Sequence, residues 1–149
     1  MGLPSLEWIA GFFDGEGCIC TCPARRGARS RVLDVSISQA YPAPLEDIKQ
    51  IFGGYLHALH PAIGHRKTVY NWKVQAKKAE AFLRAIQPFV RVKHKQIELA
   101  LKMRDLINIP QLDKTEDTYN EVIELCKEIS LCNGANYKKE SLVASLEVR

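Results

Sequence analysis

The sequence predicts an α+β fold in which helices alternate with antiparallel β-ribbons. Two patterns support this: five segments repeat apolar residues every three to four positions, as amphipathic helices do, and four alternate apolar with polar residues, as half-buried strands do. With 149 residues, 46% of them hydrophobic, the chain can bury a core of its own, so we expect residues 1–149 to form one domain. The predicted order is αββαββα, followed by extra C-terminal helices.

The first half of the chain predicts a helix and a β-ribbon. The helix spans residues 6–14, and Ser5 before it is a suitable N-cap. Its apolar residues recur at helical spacing: Leu6, Ile9, Ala10 and Phe13. Strands are predicted at 18–22 and 32–38, joined by an arginine-rich hairpin loop. Trp8 is expected in the core.

The rest of the chain predicts one short helix, a second ribbon and then three further helices. A short helix over 44–52 begins with Pro44 and ends at a Gly-Gly pair, and strands follow at 55–59 and 67–74. Alternation places Trp72 on the buried side of the second strand. The remaining helices are predicted at residues 77–87, 95–107 and 116–131.

Charge is distributed unevenly along the chain. Residues 18–104 hold sixteen Lys and Arg against five acids, a net +11, whereas residues 1–17 carry −3 and residues 105–149 carry −4. Between Gly53 and Ala79 there is no acid at all. A basic middle segment favours a polyanionic partner, although a solvated basic surface would show the same composition.

The sequence also predicts where the protein works. No apolar run approaches the roughly 18 residues that a membrane span needs, and the N-terminus lacks the pattern of a secretory signal. Five cysteines is an odd number, which favours reduced thiols over a disulfide framework. We therefore expect an intracellular protein that is not secreted, in the cytoplasm of a prokaryote or archaeon or in an organelle.

The segment 9–17, IAGFFDGEG, changes abruptly from apolar to acidic. It resembles the LAGLIDADG motif of the homing endonucleases, with identity at Ala10, Gly11, Asp14 and Gly17 and conservative changes elsewhere. Residues 86–96, IQPFVRVKHKQ, are similar to the family's segment around its active-site lysine. One copy of the motif is present, so the chain resembles the single-motif class that works as a homodimer.

The resemblance implies the LAGLIDADG homing endonuclease fold, with the β-ribbons forming a DNA-binding saddle. It also implies a site-specific, Mg²⁺-dependent DNA endonuclease that makes double-strand breaks in a long pseudo-palindromic target and is encoded in a mobile intron. The implied catalytic residues are Glu16, Gln39 and Lys93, and Glu16 would bind the metal together with the Gly15 carbonyl. Asp14 would be mainly structural. Where relatives place a basic residue, this chain has Ala43, so Lys95 is a candidate substitute.

The motif helix is also expected to form the dimer interface, through Ala10, Gly11 and Phe12. Small residues let two helices approach closely. Pairing them about a two-fold axis would bring both copies of Glu16 together at the end of the helices. Two carboxylates at that place would repel each other and DNA phosphates unless a divalent cation lay between them.

The ribbons are expected to supply the DNA-reading surface, since a two-stranded ribbon fits the major groove. The residues assigned to it from strand alternation and the hairpin loop are Cys18, Cys20, Cys22, Arg25, Arg26, Arg29, Arg31, Asp34, Ser36, Ser38, Lys67, Asn71 and Lys73. Backbone contacts are expected from Asn136, Tyr137, Lys138 and Lys139.

Other interpretations compete with these assignments. The thiols of Cys18, Cys20 and Cys22 lack the paired Cys-x-x-Cys spacing of zinc sites, and the residues after DGEG lack the oxygen ligands of a calcium loop. Histidines in the basic ribbon favour phosphate or solvent contacts over metal ligation. At the level of function, an intron RNA maturase or a non-cleaving DNA-binding regulator on the same fold stays open. RNA is therefore a possible further partner.

Overall fold

A computed structural model describes residues 2–60 and 63–134. Its helices are α1 (Leu6–Glu16), α2 (Ala43–Phe52), α3 (Ala76–Ile86), α4 (His94–Ile107) and α5 (Glu116–Cys132), and its strands are β1 (Gly17–Pro23), β2 (Arg31–Gln39), β3 (Tyr55–His60) and β4 (Val69–Gln75). The predicted α+β fold is confirmed, with an αββαββα core followed by α4 and α5. None of the described helices is long and apolar enough to cross a membrane.

The two ribbons join into one antiparallel sheet with strand order β1-β2-β4-β3. The central pairing sets Val35 opposite Val74 and Ile37 opposite Trp72, so these buried residues share the sheet face that packs on the helices. The opposite face, called the polar face below, carries Cys18, Cys20, Cys22, Asp34, Ser36, Ser38, Asn71, Lys73 and Gln75. One face therefore builds the core, and the other is left to polar side chains.

Aromatic rings connect the helices to the sheet. Phe82 of α3 makes edge contacts with Phe13 at 5.3 Å, Phe52 at 4.9 Å and Trp72 at 4.9 Å between ring centroids. Trp72 is fully buried, as expected, and its indole N–H donates to the Gly53 carbonyl at 2.8 Å. This cluster packs α1, α2 and α3 against β4, one of the two central strands.

Helix α1 has two apolar sides, which corrects the prediction for Trp8. Ile9 and Phe13 are fully buried, but Trp8 is 46% exposed and stacks on Phe12, with 5.0 Å between ring centroids. Leu6, at 37%, is also exposed. The helix is apolar nearly all round, and one chain covers only one side of it.

Helix α5 is fastened to the first ribbon near both of its ends. The Asn133 amide, just after α5, donates to the Ile19 carbonyl of β1. At the other end Arg29, in the hairpin loop, pairs with Glu116 and lies 4.0 Å from the Tyr119 ring centroid. The C-terminal helices therefore brace the ribbon from the core side.

Candidate active site and nucleic-acid interface

The C-terminal end of α1 carries an unpaired acid and is also contacted by a lysine. Glu16 is the last residue of α1 and is exposed, and its carboxylate has no hydrogen bond or ion pair with the described residues. Lys93, the N-cap of α4, donates from Nζ to the Asp14 carbonyl oxygen at 2.9 Å. A cation suits a helix C-terminus, where the last carbonyl groups lack helical partners. The fold thus brings Lys93 to the helix end that carries Glu16.

Asp14 holds the loop that carries this lysine. Its two carboxylate oxygens accept hydrogen bonds from the backbone N–H of Arg91 at 2.7 Å and of Lys93 at 3.0 Å. Partial burial opposes ionisation, but these backbone donors outweigh it, so the pKa of Asp14 lies below its usual value. Asp14 therefore acts as a charged anchor between α1 and the 91–93 loop.

Asp14→Asn is expected to lower stability by about 1–2 kcal/mol at neutral pH, because charge-assisted hydrogen bonds are lost. Because the pKa of Asp14 is lower in the folded than in the unfolded chain, the ionised carboxylate stabilises the fold at pH values above the unfolded-state pKa of about 3.9. This stabilisation is lost as the pH falls through the pKa of the folded state. The difference in unfolding free energy between wild type and Asp14→Asn, measured with urea, should therefore become smaller below about pH 4. Asp113→Asn, at an exposed acid, is the control. An equal deficit at neutral and acid pH would contradict the anchor.

Gln39 lies at the same end of the sheet. It is the last residue of β2, two positions beyond Ile37, which pairs with Gly17 directly after α1. Its Oε1 accepts from the Ala40 backbone N–H at 2.8 Å. Ala43 is the first residue of α2 and brings no charge to this region.

The described residues of one chain offer few ligands for a metal ion. Among residues 2–60 and 63–134, no group of three or more His, Cys, Asp or Glu side chains could hold a metal ion. The exposed Glu16 carboxylate and the carbonyl of Gly15 in the last helical turn are hard oxygen donors. Such donors fit Mg²⁺ or Ca²⁺. Water molecules and phosphate oxygens complete the coordination of these ions.

Three thiols line the outer strand of the polar face. Cys18 and Cys20 are exposed and Cys22 is half-buried, and all three are free. A hydrogen bond from the Cys20 thiol lowers the pKa of Cys18 to about 6, and the same bond together with burial raises the pKa of Cys20. These side chains lie where the sequence placed them.

Two polar contacts join the central strands on this face. Asn71 donates to the Ser38 hydroxyl at 2.9 Å, and both residues were assigned to the reading surface. Asp34 accepts from Lys73 and from Gln75, each at 2.8 Å. The hydrogen bond to Asp34 raises the pKa of Lys73 above its usual value. Sequence reasoning missed Gln75 because it ended the strand at Val74, although the alternation continues for one more residue.

The basic residues of the hairpin divide into two groups. Arg25 and Arg26 are exposed in the loop, but Arg29 is held against α5. Arg31 requires a correction. It lies opposite Pro23, on the core side of β2, and its buried Nε has no partner among the described residues. Strand parity thus turns it away from the polar face.

The remaining residues that were predicted to contact DNA are Lys67 and four residues near the C-terminus. Lys67 is exposed just before β4. Asn136, Tyr137, Lys138 and Lys139 lie outside the described residues.

The predicted interface needs one correction as well. Ala10 is fully buried among the core residues of its own chain, because it shares the side of α1 that carries Ile9 and Phe13. Gly11 is exposed, and no atom beyond its own helix backbone lies within 4 Å of where a Cβ would be. Phe12 is half-buried beside Trp8. The open side of α1 is therefore the side of Trp8, Gly11 and Phe12.

Known structures share this architecture. No protein-family model and no curated sequence matches the chain. The homing endonuclease I-CvuI in complex with its target is 20% identical, with a TM-score of 0.67 over 85% of this chain and 80% of its own. The archaeal intron-encoded homing endonuclease I-Vdi141I, complexed with DNA, is 21% identical, with a TM-score of 0.67 over 85% and 82%.

A longer relative matches this chain over less than half of its length. The LAGLIDADG homing endonuclease I-GzeII, in complex with a DNA target, is 20% identical, with a TM-score of 0.67 over 85% of this chain and 44% of its own. The same unit therefore occurs both in chains of this size and within larger ones. The resemblance seen at residues 9–17 is confirmed in three dimensions, and the chain has the LAGLIDADG homing endonuclease fold.

Proposed function

We propose that the protein is a site-specific DNA endonuclease that works as a homodimer inside cells with a divalent cation, Mg²⁺ in the first place. The observation that carries this proposal is the exposed, unpaired Glu16 carboxylate at the same end of α1 that Lys93 contacts, at the edge of a sheet whose outer face is polar. An exposed carboxylate without an ion-pair partner is available to a hard divalent cation, whose remaining ligands are water and phosphate oxygens.

The polar face supports duplex DNA as the substrate. Its central strands present amide, hydroxyl and ammonium groups, which are the groups that read base edges in the major groove. The surrounding segment carries the excess of Lys and Arg, which suits contacts to phosphates. I-CvuI and I-Vdi141I, which share the fold, are described in complexes with DNA.

The proposed chemistry is divided among four residues of each chain. Glu16 and the Gly15 carbonyl would hold the cation, which when bound supplies charge neutralisation at the phosphate and a more acidic water. Lys93, fixed by its bond to Asp14, would place a positive charge near the scissile phosphate. Gln39 would orient water at the same end of the sheet.

The small number of metal ligands in one chain and the uncovered side of α1 support the proposed homodimer. One copy supplies a single exposed carboxylate, and the side of α1 with Trp8 and Gly11 has no partner within the described chain. Two copies related by a two-fold axis would cut both strands and would read a pseudo-palindromic target. We extend the proposal to an origin in a mobile intron, in line with the description of I-Vdi141I as intron-encoded.

The test is cleavage of a randomised pool of long duplexes in Mg²⁺, followed by sequencing of the cut ends. Breaks in both strands at one enriched, roughly symmetric sequence are expected. Binding to an enriched duplex without cleavage would favour the non-cleaving regulator. Preference for intron RNA over duplex DNA in filter binding would favour the maturase. Either result would overturn the proposed nuclease.

A further inference from the structure

The middle of the polar face holds a carboxylate that is nearly buried on an otherwise open surface. Asp34 is 4% exposed, and its Oδ2 accepts from Lys73 Nζ and from Gln75 Nε2, each at 2.8 Å. Asp34 and Gln75 are directly opposite in the β2–β4 pairing, and Lys73 lies two residues earlier on the same side of β4. These three residues are called the central triad.

The burial of Asp34 indicates that its carboxylate positions the neighbouring side chains. A charge removed from water is tolerated only when it is paired and hydrogen-bonded, and here one oxygen receives both donors. The Asp34 side chain is 6% exposed, so it does not reach a base edge, whereas the Lys73 side chain is 39% exposed. Asp34 fixes its two neighbours, and they face outward.

The orientation of the Gln75 amide follows from the carboxylate. An ionised carboxylate only accepts hydrogen bonds, so the amide nitrogen must point to Asp34, which leaves Oε1 as an acceptor. Lys73 has three N–H donors and uses one on Asp34. Because both nitrogen atoms contact the same oxygen, the triad displays two ammonium donors close to one amide acceptor.

This display complements one kind of base pair. In the major groove a G·C pair offers two guanine acceptors, N7 and O6, beside the N4–H donor of cytosine, whereas an A·T pair sets the N6–H donor of adenine between two acceptors. An ammonium opposed to that central donor would lose a hydrogen bond. The triad therefore fits guanine on its lysine side and cytosine on its glutamine side.

We propose that the central triad reads a G·C base pair in each half of the target, with Lys73 donating to guanine, Gln75 accepting from cytosine, and Asp34 as the positioning residue. The inference rests on the proposed function, because it assumes that the polar face enters the major groove. A triad that only stabilised the sheet would have the same contacts but no influence on base preference.

The test is selection of bound duplexes from a pool randomised at every position, in Ca²⁺, for wild type, Lys73→Met and Asp34→Asn. Wild type should enrich G·C at one position of each half-site. Lys73→Met should lose about 5- to 150-fold of that preference, measured as the ratio of dissociation constants for G·C and A·T duplexes. Asp34→Asn should reduce the same ratio, since lysine and glutamine are no longer held together.

Lys102→Met is the matched control, because it removes an exposed lysine of α4 from outside the polar face. It should leave the base preference unchanged. Thermal melting should show that Lys73→Met is folded, as a half-exposed side chain allows. If Asp34→Asn does not fold, Lys73→Met and Gln75→Leu decide the question.

The outcomes separate the two proposals. Enrichment by wild type with the same G·C preference retained in Lys73→Met would overturn the role of the triad and leave the proposed function intact. Failure of wild type to enrich any duplex would overturn the proposed function, and the triad's role with it.

Discussion

Glu16→Gln is expected to reduce single-turnover cleavage of an enriched duplex by about 10²- to 10⁴-fold, because the charge that would hold the divalent cation is lost. The side chain is exposed at the end of α1 and makes no hydrogen bond or ion pair with the described residues, so the amide should leave the fold unchanged. DNA affinity in Ca²⁺ should survive. Without divalent ions the variant should bind more tightly than wild type, because two carboxylates no longer repel the phosphates.

The control for this prediction is Glu46→Gln, which neutralises an exposed acid in the first turn of α2. Cleavage and affinity of the control should match wild type. Cleavage by the Glu16→Gln protein at a near wild-type rate would show that the metal site lies elsewhere. Loss of affinity together with cleavage would instead point to a binding role for Glu16.

Gly11→Leu is expected to separate the dimer while making the single chain more stable. Leucine is better than glycine inside a helix by about 0.8 kcal/mol, and no atom beyond the neighbouring helix backbone lies within 4 Å of the added Cβ. Across a two-fold helix contact, two inserted side chains each cost about 1–3 kcal/mol. The dimer dissociation constant should therefore rise about 30-fold or more.

Sedimentation velocity over a concentration series, together with urea unfolding, measures both effects. Ala81→Leu is the control, because it adds a leucine at an exposed position of α3 and should leave assembly unchanged. A Gly11→Leu protein that remains a dimer would show that α1 is not the interface. A destabilised monomer would show that Gly11 is packed within its own chain.

The order of elements was predictable because local signals mark each boundary. Ser5 caps α1 by accepting from the Trp8 backbone N–H at 3.2 Å, and Gly53 ends α2 with a φ of 74°. Pro88 marks the end of α3, since a proline cannot continue the helix. These features depend on a few neighbouring residues, so a single sequence reveals them.

Side-chain direction was less predictable where two surfaces compete for one element. Trp8 and Ala10 are both apolar in an apolar helix, and only packing decides that Ala10 faces the core and Trp8 does not. Arg31 was assigned to the loop, and its extension of β2 turns it to the core side. The bonds of Asp34 depend on pairing between β2 and β4, which lie in different ribbons and far apart in sequence.

The bracing of β1 by α5 limits how the protein can be changed. Since Arg29 is held by Glu116 and Tyr119, and Ile19 by Asn133, the outer ribbon and α5 are constrained together. A hairpin transplanted from a related chain would keep the bond from Asn133 to the backbone carbonyl at position 19 but, without an arginine at position 29, would lose its contacts with Glu116 and Tyr119. Grafting of the first ribbon therefore works best with α5 as part of the transplanted unit, so that the smallest exchangeable unit is the ribbon with its helix.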